Sequence, residues 1–600
     1  MKSIPRLLYL LPAIGLLLGA VDAQAQSFRV QCPTSTPFHP DGSNIKCQQI
    51  AGGDGYATMA DGSSIYMFGF GPLSGLKSIY NGLPGTQVNS VFNTAFGPVT
   101  GTPSSLVGMP DGNFAFEGAI GLTEDFSLDP WAAGSNYAKG ALVRTATSIY
   151  SATSSGTAGA SMPTGPGTVS DGGVMWSYQG SLLDGHVDAR PIMDVGVMNA
   201  SQPAPLIAID EDDELFLTLS NVGMIMRPDL FEQHTVHFHG YPNASAFYDG
   251  VPDASVAISI GGSFTYYYLA PDAGTYFWHC HISPPEHLQM GMVGQLYVRP
   301  RQNKVSVGDS LYAALNQWEM NSTPLVSDPK NADDWQSYEP VRKRCGTDIL
   351  CTTPLPATKD ATRAGADTSH PNGGSPYNYA YNDGDGSTYY DVEYPIQIHG
   401  FDPNFHFVGM TFNPESFNDM KDKYFLLNGR SYPDTVGGHV CAAGDTLPAC
   451  SGLKADTVVA GPMQTQSTDG TNHASQPLPT VINIPANGKA LLRISDLDVS
   501  EYQTLASLGV PMKVVGLNAR LLRDMAGNNL GYTTNSITLA GGESIDVILD
   551  ATGLKPRQKF YLYTPNLDHL SNDAENFGGL MTEVNICSSV DPQTKICTNI

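Results

Sequence analysis

The stretch His234-Thr235-Val236-His237-Phe238-His239-Gly240 is answered downstream by Trp278-His279-Cys280-His281-Ile282-Ser283-Pro284-Pro285-Glu286-His287-Leu288-Gln289-Met290-Gly291-Met292. Six of the chain's 14 histidines fall between His234 and Met292, with one cysteine and two methionines. Imidazole, thiolate and thioether together are the ligand set that suits copper. In a strand, side chains two apart share a face. His237 and His239 therefore point together, as do His279 and His281, while Cys280 points the other way. Two neighbouring metal sites joined through one strand are expected. The thiolate site needs two nitrogens and an axial ligand. His234 lies three residues before His237, so the intervening backbone can direct it to the Cys280 side. His287 follows on the loop leaving the strand, and Met290 and Met292 both offer a thioether there.

Outward from this stretch the chain reads as all-β. Gly and Pro are abundant, with 63 and 43 copies, and helical periodicity is scarce. Short β-rich runs stand between turn signals, as in Leu215 to Leu219, Ser263 to Tyr268, Ala490 to Ser495 and Ser544 to Leu549. This pattern predicts sandwiches. Residues 26–130 read as an N-terminal extension, in which His39 is expected at the surface. Residues 181–305 form the metal-binding domain, 306–388 a polar connection, and 389–600 a second β domain with scattered histidines.

Residues 131–180 differ in texture and resemble the small β modules of carbohydrate-binding domains, with Trp131, Tyr150 and Trp176 at regular places. Exposed, these rings would stack on a polysaccharide. So small a unit needs its aromatics inside, which favours a core role.

Residues 1–25 read as a secretory signal: Lys2 and Arg6, an apolar run from Leu7 to Leu18, then Ala23-Gln24-Ala25. An exported protein is expected, in the periplasm, on the cell surface or outside the cell. Cleavage would remove Lys2, Arg6 and Asp22 and take the formal charge from −26 to −27. That excess of acid argues against nucleic acid as a partner and attracts cations. Eight of the nine cysteines fall in four local pairs, Cys32/Cys47, Cys345/Cys351, Cys441/Cys450 and Cys587/Cys597. Each pair could close a short disulfide loop in an oxidising compartment, and Cys280 is left over.

The motifs His234-x-x-His237-x-His239-Gly240 and His279-Cys280-His281…His287…Met292 resemble the paired copper motifs of multicopper oxidases. Asp249-Gly250-Val251-Pro252 and Gly274 to His279 fit the same pattern. The second β domain resembles that family's copper-free cupredoxin domain through Leu427 to Asp434 and Gly541 to Val547. Within the family the likeness is to large exported bacterial proteins of the Geobacter outer-surface type. The resemblance implies two cupredoxin-like Greek-key sandwiches with a small inserted β module and long loops. It implies copper of type 1 held by His234, Cys280, His287 and Met292. Met292 is preferred because the family keeps four residues between this histidine and its methionine. It further implies type 2 and type 3 copper, with His237 on the former and His239, His279 and His281 on the latter. Asp249 falls where the family carries an acid that assists proton delivery to dioxygen.

In this scheme electrons from a reduced metal ion or small-molecule donor enter near an exposed edge of His287. Two alternatives are a type 1 electron-transfer protein of extracellular metal redox chemistry and a two-domain enzyme of nitrite reductase layout. Cys280 and His287 stand two residues further apart than in laccases, with Pro284-Pro285 inserted. A full trinuclear cluster draws eight histidines from four His-x-His-type motifs, and only two motifs are visible here. In a homo-oligomer, His399 and His406 could contribute across a subunit interface.

Overall fold

The computed structural model describes residues 28–96, 116–304 and 378–598, apart from short stretches inside the last two spans, of which 441–457 is the longest. The signal segment and the pairs Cys345/Cys351 and Cys441/Cys450 lie outside the described residues. Cys32 is joined to Cys47 and Cys587 to Cys597, and Cys280 is free and buried.

The first sandwich uses β1 (Ile45–Thr58), β2 (Ser64–Pro72), β3 (Ile207–Asp210), β4 (Glu214–Gly223), β5 (His237–Phe238), β6 (Ser263–Leu269), β7 (Gly274–His279), the short helix α1 (Pro284–Gln289) and β8 (Val293–Arg299). One sheet runs β6-β4-β1-β2 and the other β3-β8-β7-β5. Leu215, Leu217 and Leu219 of β4 face inward, and Tyr268 and Tyr266 stand opposite the first two across the antiparallel pair with β6. They meet Ile50, Phe68, Phe70, Trp278 and Leu296 in one core that also holds Cys280. Strand β1 pairs in parallel with β4, from Ile45 opposite Glu214 to Ala51 opposite Ser220. Residues before 131 thus extend this sandwich itself, since β1, β2 and the short strand Gln87–Val88 paired to β1 all belong to its sheet. His39 is not a free surface residue: its Nδ1 lies 3.0 Å from Glu214 Oε2.

In the 131–180 module the strands Leu142–Arg144, Ser148–Ala152, Val174–Ser181 and Thr168–Asp171 form one sheet. Tyr150 and Trp176 are fully buried. Trp131 Nε1 donates to Asp171 Oδ2 at 3.0 Å. The aromatics are the module's core, so they form no open platform for a polysaccharide. So few residues can bury enough apolar area only by turning their largest rings inward.

The second sandwich uses β9 (Val392–Phe401), β10 (Tyr424–Leu427), β11 (Ile482–Pro485), β12 (Lys489–Asp496), β13 (Gln503–Leu508), β14 (Met512–Leu517), β15 (Ser536–Leu539), β16 (Ser544–Asp550), β17 (Lys559–Tyr563) and β18 (Met581–Cys587). Its sheets run β10-β9-β12-β16-β14 and β11-β18-β17-β13-β15 over a separate aliphatic core. Residues 378–384, read in the sequence as part of the connection, pack here, with Tyr381 donating to buried Asp546. The all-β, cupredoxin-like architecture expected from the sequence is therefore the one observed.

The β8 and β7 face of the first sandwich docks on β12 and β16 of the second through buried polar contacts. Gln295 Nε2 donates to the Arg493 carbonyl at 2.9 Å and to Ser495 Oγ at 2.8 Å. Thr275 Oγ1 donates to Asp546 Oδ1 at 2.6 Å. Arg299 and Arg493 share Glu393.

Candidate metal centre

The antiparallel register of β5 and β7 sets His237 opposite His279 and Phe238 opposite Trp278. Because side chains alternate, one face of this ribbon collects histidines and the other carries the core. Two groups result, as the spacing predicts. His234, Cys280 and His287 have ligand atoms within 4.8 Å of one another, and so do His237, His239 and His279. They are joined by the His279–Cys280 peptide.

The Cys280 group is buried to the last atom: His234, Cys280 and His287 have 0 % exposure. His287 Nδ1 lies 3.3 Å from Cys280 Sγ. Burial pushes the Cys280 thiol up, but His287 and His234 outweigh it and hold it well below the ordinary thiol range. Burial likewise pushes His287 down, yet Cys280 and Glu232 lift it to about 10. The sulfur is thus poised as a thiolate. Neither ring nitrogen of His234 has a hydrogen-bond partner. Burying both without a partner is costly, so the site has the chemistry of one built for an ion. A thiolate with two imidazoles in a dry pocket fits a type 1 copper. Met290 and Met292 are both fully buried in the same core. Met292 is tied closer to the ligands, since its carbonyl accepts from Cys280 N–H at 3.1 Å and its N–H donates to the His287 carbonyl at 2.8 Å. The Met290 carbonyl is instead taken by Phe68 N–H.

His287 has no exposed edge, which corrects the expected electron entry there. Its Nε2 faces Glu232 Oε2 at 3.7 Å, and Glu232 is about a quarter exposed. Glu232 was not singled out in the sequence, although it sits two residues before His234.

In the second group the backbone chooses which nitrogen is free. His237 Nδ1 donates to the Asp249 carbonyl at 2.7 Å and His279 Nδ1 to the Cys280 carbonyl at 2.6 Å. Each ring thereby presents Nε2, the outer-shell arrangement common around metals. The Nε2 atoms of His239 and His279 are 2.9 Å apart. His239 is lowered to about 4, first by burial and then by the neighbouring imidazoles, and His279 falls well below its ordinary value for the same reasons. Neutral rings are the form that binds metal. His281 stands beside this trio, its ring 5.0 Å from that of His237, and its N–H is accepted by Thr235 Oγ1 at 2.9 Å. The Asp249 carboxylate lies 3.5 Å from His237 Nδ1. Gly250 follows at φ 76°, where a Cβ would strike the Val236 carbonyl, so this glycine lets the Asp249 turn close on β5.

From the second sandwich, Gly542 packs over His239, and with Gly541, Glu543 and Asn518 it lines a cleft of about 360 Å³ beside that ring. No group of metal-ligating side chains occurs in the second sandwich among the described residues. His399 and His406 are buried and turned to the first sandwich, facing the Leu288 and Gln289 carbonyls at 2.9 Å each. They cannot reach a neighbouring subunit, which corrects the role considered for them.

Residues 185–303 match the family model described as multicopper oxidase. This segment is thereby similar to the multicopper oxidases, a family whose members bind type 1 and type 2/type 3 copper. Laccase abr2 of Aspergillus fumigatus is 28 % identical over 163 residues, 26 % of each chain. Laccase-1 of Emericella nidulans is 34 % identical over 173 residues, again 26 % of each. The chain thus spans about a quarter of the length of these relatives. Among solved structures, a blue copper oxidase from Nitrosomonas europaea aligns over 65 % of this chain and 78 % of its own, at 18 % identity and a TM-score of 0.37.

Proposed function

We propose that this is an exported copper oxidoreductase that takes electrons at the Cys280 centre and passes them to the histidine centre for dioxygen reduction. The observation that carries the proposal is the His279–Cys280 peptide, which links one residue of each ligand group. Copper bound at both centres would supply one-electron storage and a site for dioxygen. His234, Cys280, His287 and Met292 would hold the first ion, and His237, His239, His279 and His281 would hold the copper of the second. The residues around them exclude water from the first centre and leave the second at the edge of a cleft. Asp249, beside His237, would assist proton delivery to dioxygen.

The net charge of −26 and the partly exposed Glu232 over His287 support a reduced metal ion or a cationic small molecule as donor. Export is supported by the signal-like N-terminus and by two disulfides. The likeness to exported bacterial proteins of the Geobacter type is part of the same proposal.

One observation favours a second reading, a type 1 electron carrier: the second sandwich turns Gly542 rather than a histidine toward His239. Copper analysis, an absorption spectrum and oxygen uptake on one purified sample separate the two. Blue protein with more than one copper per chain and oxygen uptake supports the oxidoreductase. Blue protein with a single copper and no oxygen uptake overturns it and leaves the carrier.

A further inference from the structure

We propose that the second sandwich, in which no group of metal-ligating side chains occurs among the described residues, is the positioning element of the Cys280 centre, acting through His399 on the ligand loop. The inference rests on reading that centre as a type 1 copper site.

The loop from Ser283 to Met292 carries both His287 and the methionine. Its helix α1 has 6 residues, too few to be stable alone. It begins at Ser283 with φ 41° and ends at Gly291 with φ 116°. The first is a left-handed conformation costly for a side-chain-bearing residue, and the second suits glycine. Such a loop holds its shape only where its surroundings over-determine it.

The surroundings are specific. Three consecutive carbonyls of the loop face polar groups outside it. Leu288 O accepts from His399 Nε2 at 2.9 Å, Gln289 O faces His406 Nε2 at 2.9 Å, and Met290 O accepts from Phe68 N–H at 3.0 Å. His406 Nδ1 lies 2.5 Å from the Tyr66 carbonyl; burial lowers this histidine to about 4, so the neutral ring has one N–H and donates to one of the two carbonyls it faces. The Gln289 side chain accepts Asp402 N–H at 3.1 Å and donates to Asp422 Oδ1 at 2.9 Å. His399, His406 and Gln289 are each at most 1 % exposed. The Leu288 carbonyl and the Gln289 side chain are therefore gripped by the second sandwich, immediately after His287. Outer-shell contacts of this kind orient ligands and tune the metal.

The test compares copper-loaded full chains by blue-band titration with copper, electron paramagnetic resonance and reduction potential. His399→Leu, which removes the donor, should lower copper affinity at this centre by about 10- to 100-fold and shift the resonance and the potential. His399→Gln, which keeps an N–H within reach of Leu288, should restore most of both. His399→Asn keeps a polar group in the pocket but stops short of Leu288, and gives the same answer as leucine if the leucine variant does not fold. Gln295→Leu loosens the same domain interface away from the loop and should leave the centre unchanged. The proposal is overturned if both His399→Leu and His399→Asn match the parent, or if Gln295→Leu moves the centre as far as His399→Leu does. A parent protein with no blue band would instead remove the copper reading beneath it.

Discussion

His279 and Cys280 are adjacent in the chain yet belong to different ligand groups, and the His279 Nδ1–H donates to the Cys280 carbonyl at 2.6 Å. One hydrogen bond thus orients an imidazole of the outer group against the backbone of the residue that carries the buried sulfur. Any loss of order at this peptide should be felt at both centres.

Changing Cys280 to Ser should abolish the blue absorption band and lower the copper content by about one ion per chain, because a hydroxyl does not replace a soft thiolate. Absorption and metal analysis check this. A blue band that survives would mean the ligand set is wrong.

Gly542 adopts φ 86°, and a Cβ there would stand 2.8 Å from His239 Nδ1. Gly542→Ala should displace that ring and weaken metal binding at the outer centre by about 10- to 100-fold. The blue band should stay. Oxygen uptake and copper stoichiometry measured together distinguish this from a general loss of fold.

Glu393 sits between Arg299 and Arg493 at the domain interface. Burial pushes its carboxyl up, but the two guanidinium groups outweigh that and hold it well below the ordinary 4.5. A depressed folded-state value stabilises the fold above the unfolded value and loses that stabilisation as pH falls. Glu393→Gln should therefore cost about 3 kcal/mol at pH 7, since it leaves buried arginine uncompensated. The difference from the parent should shrink below about pH 4.5. Denaturant titrations at pH 7 and pH 4 test both the size and the sign.

Trp176 fills the small module with Tyr150 and has 0 % exposure. Trp176→Ala should cost the module about 3–5 kcal/mol. Proteolysis should then nick residues 131–180 selectively, while the blue band is unaltered. Equal protease resistance in parent and variant would mean that the ring is not its core.

The division of ligands into two groups was legible from the residues alone, because alternation along a strand places His279 and Cys280 on opposite faces whatever the rest of the fold does. So was the all-β character, from runs such as Leu215 to Leu219 that became β4. The free state of Cys280 followed from the local pairing of the other eight cysteines, which left it over. What needed the tertiary structure was everything set by distant packing. That β1 and β2 complete the first sandwich depends on a parallel pairing with β4, far along the chain, and nothing local announces it. Glu232 covering His287 depends on a loop path between strands. The roles of His399 and His406 were hidden because a lone histidine has no periodicity to read. Only the docking of two sandwiches reveals that their nitrogens end on the carbonyls of the ligand loop. Local chemistry named the candidate ligands, and long-range packing decided what holds them.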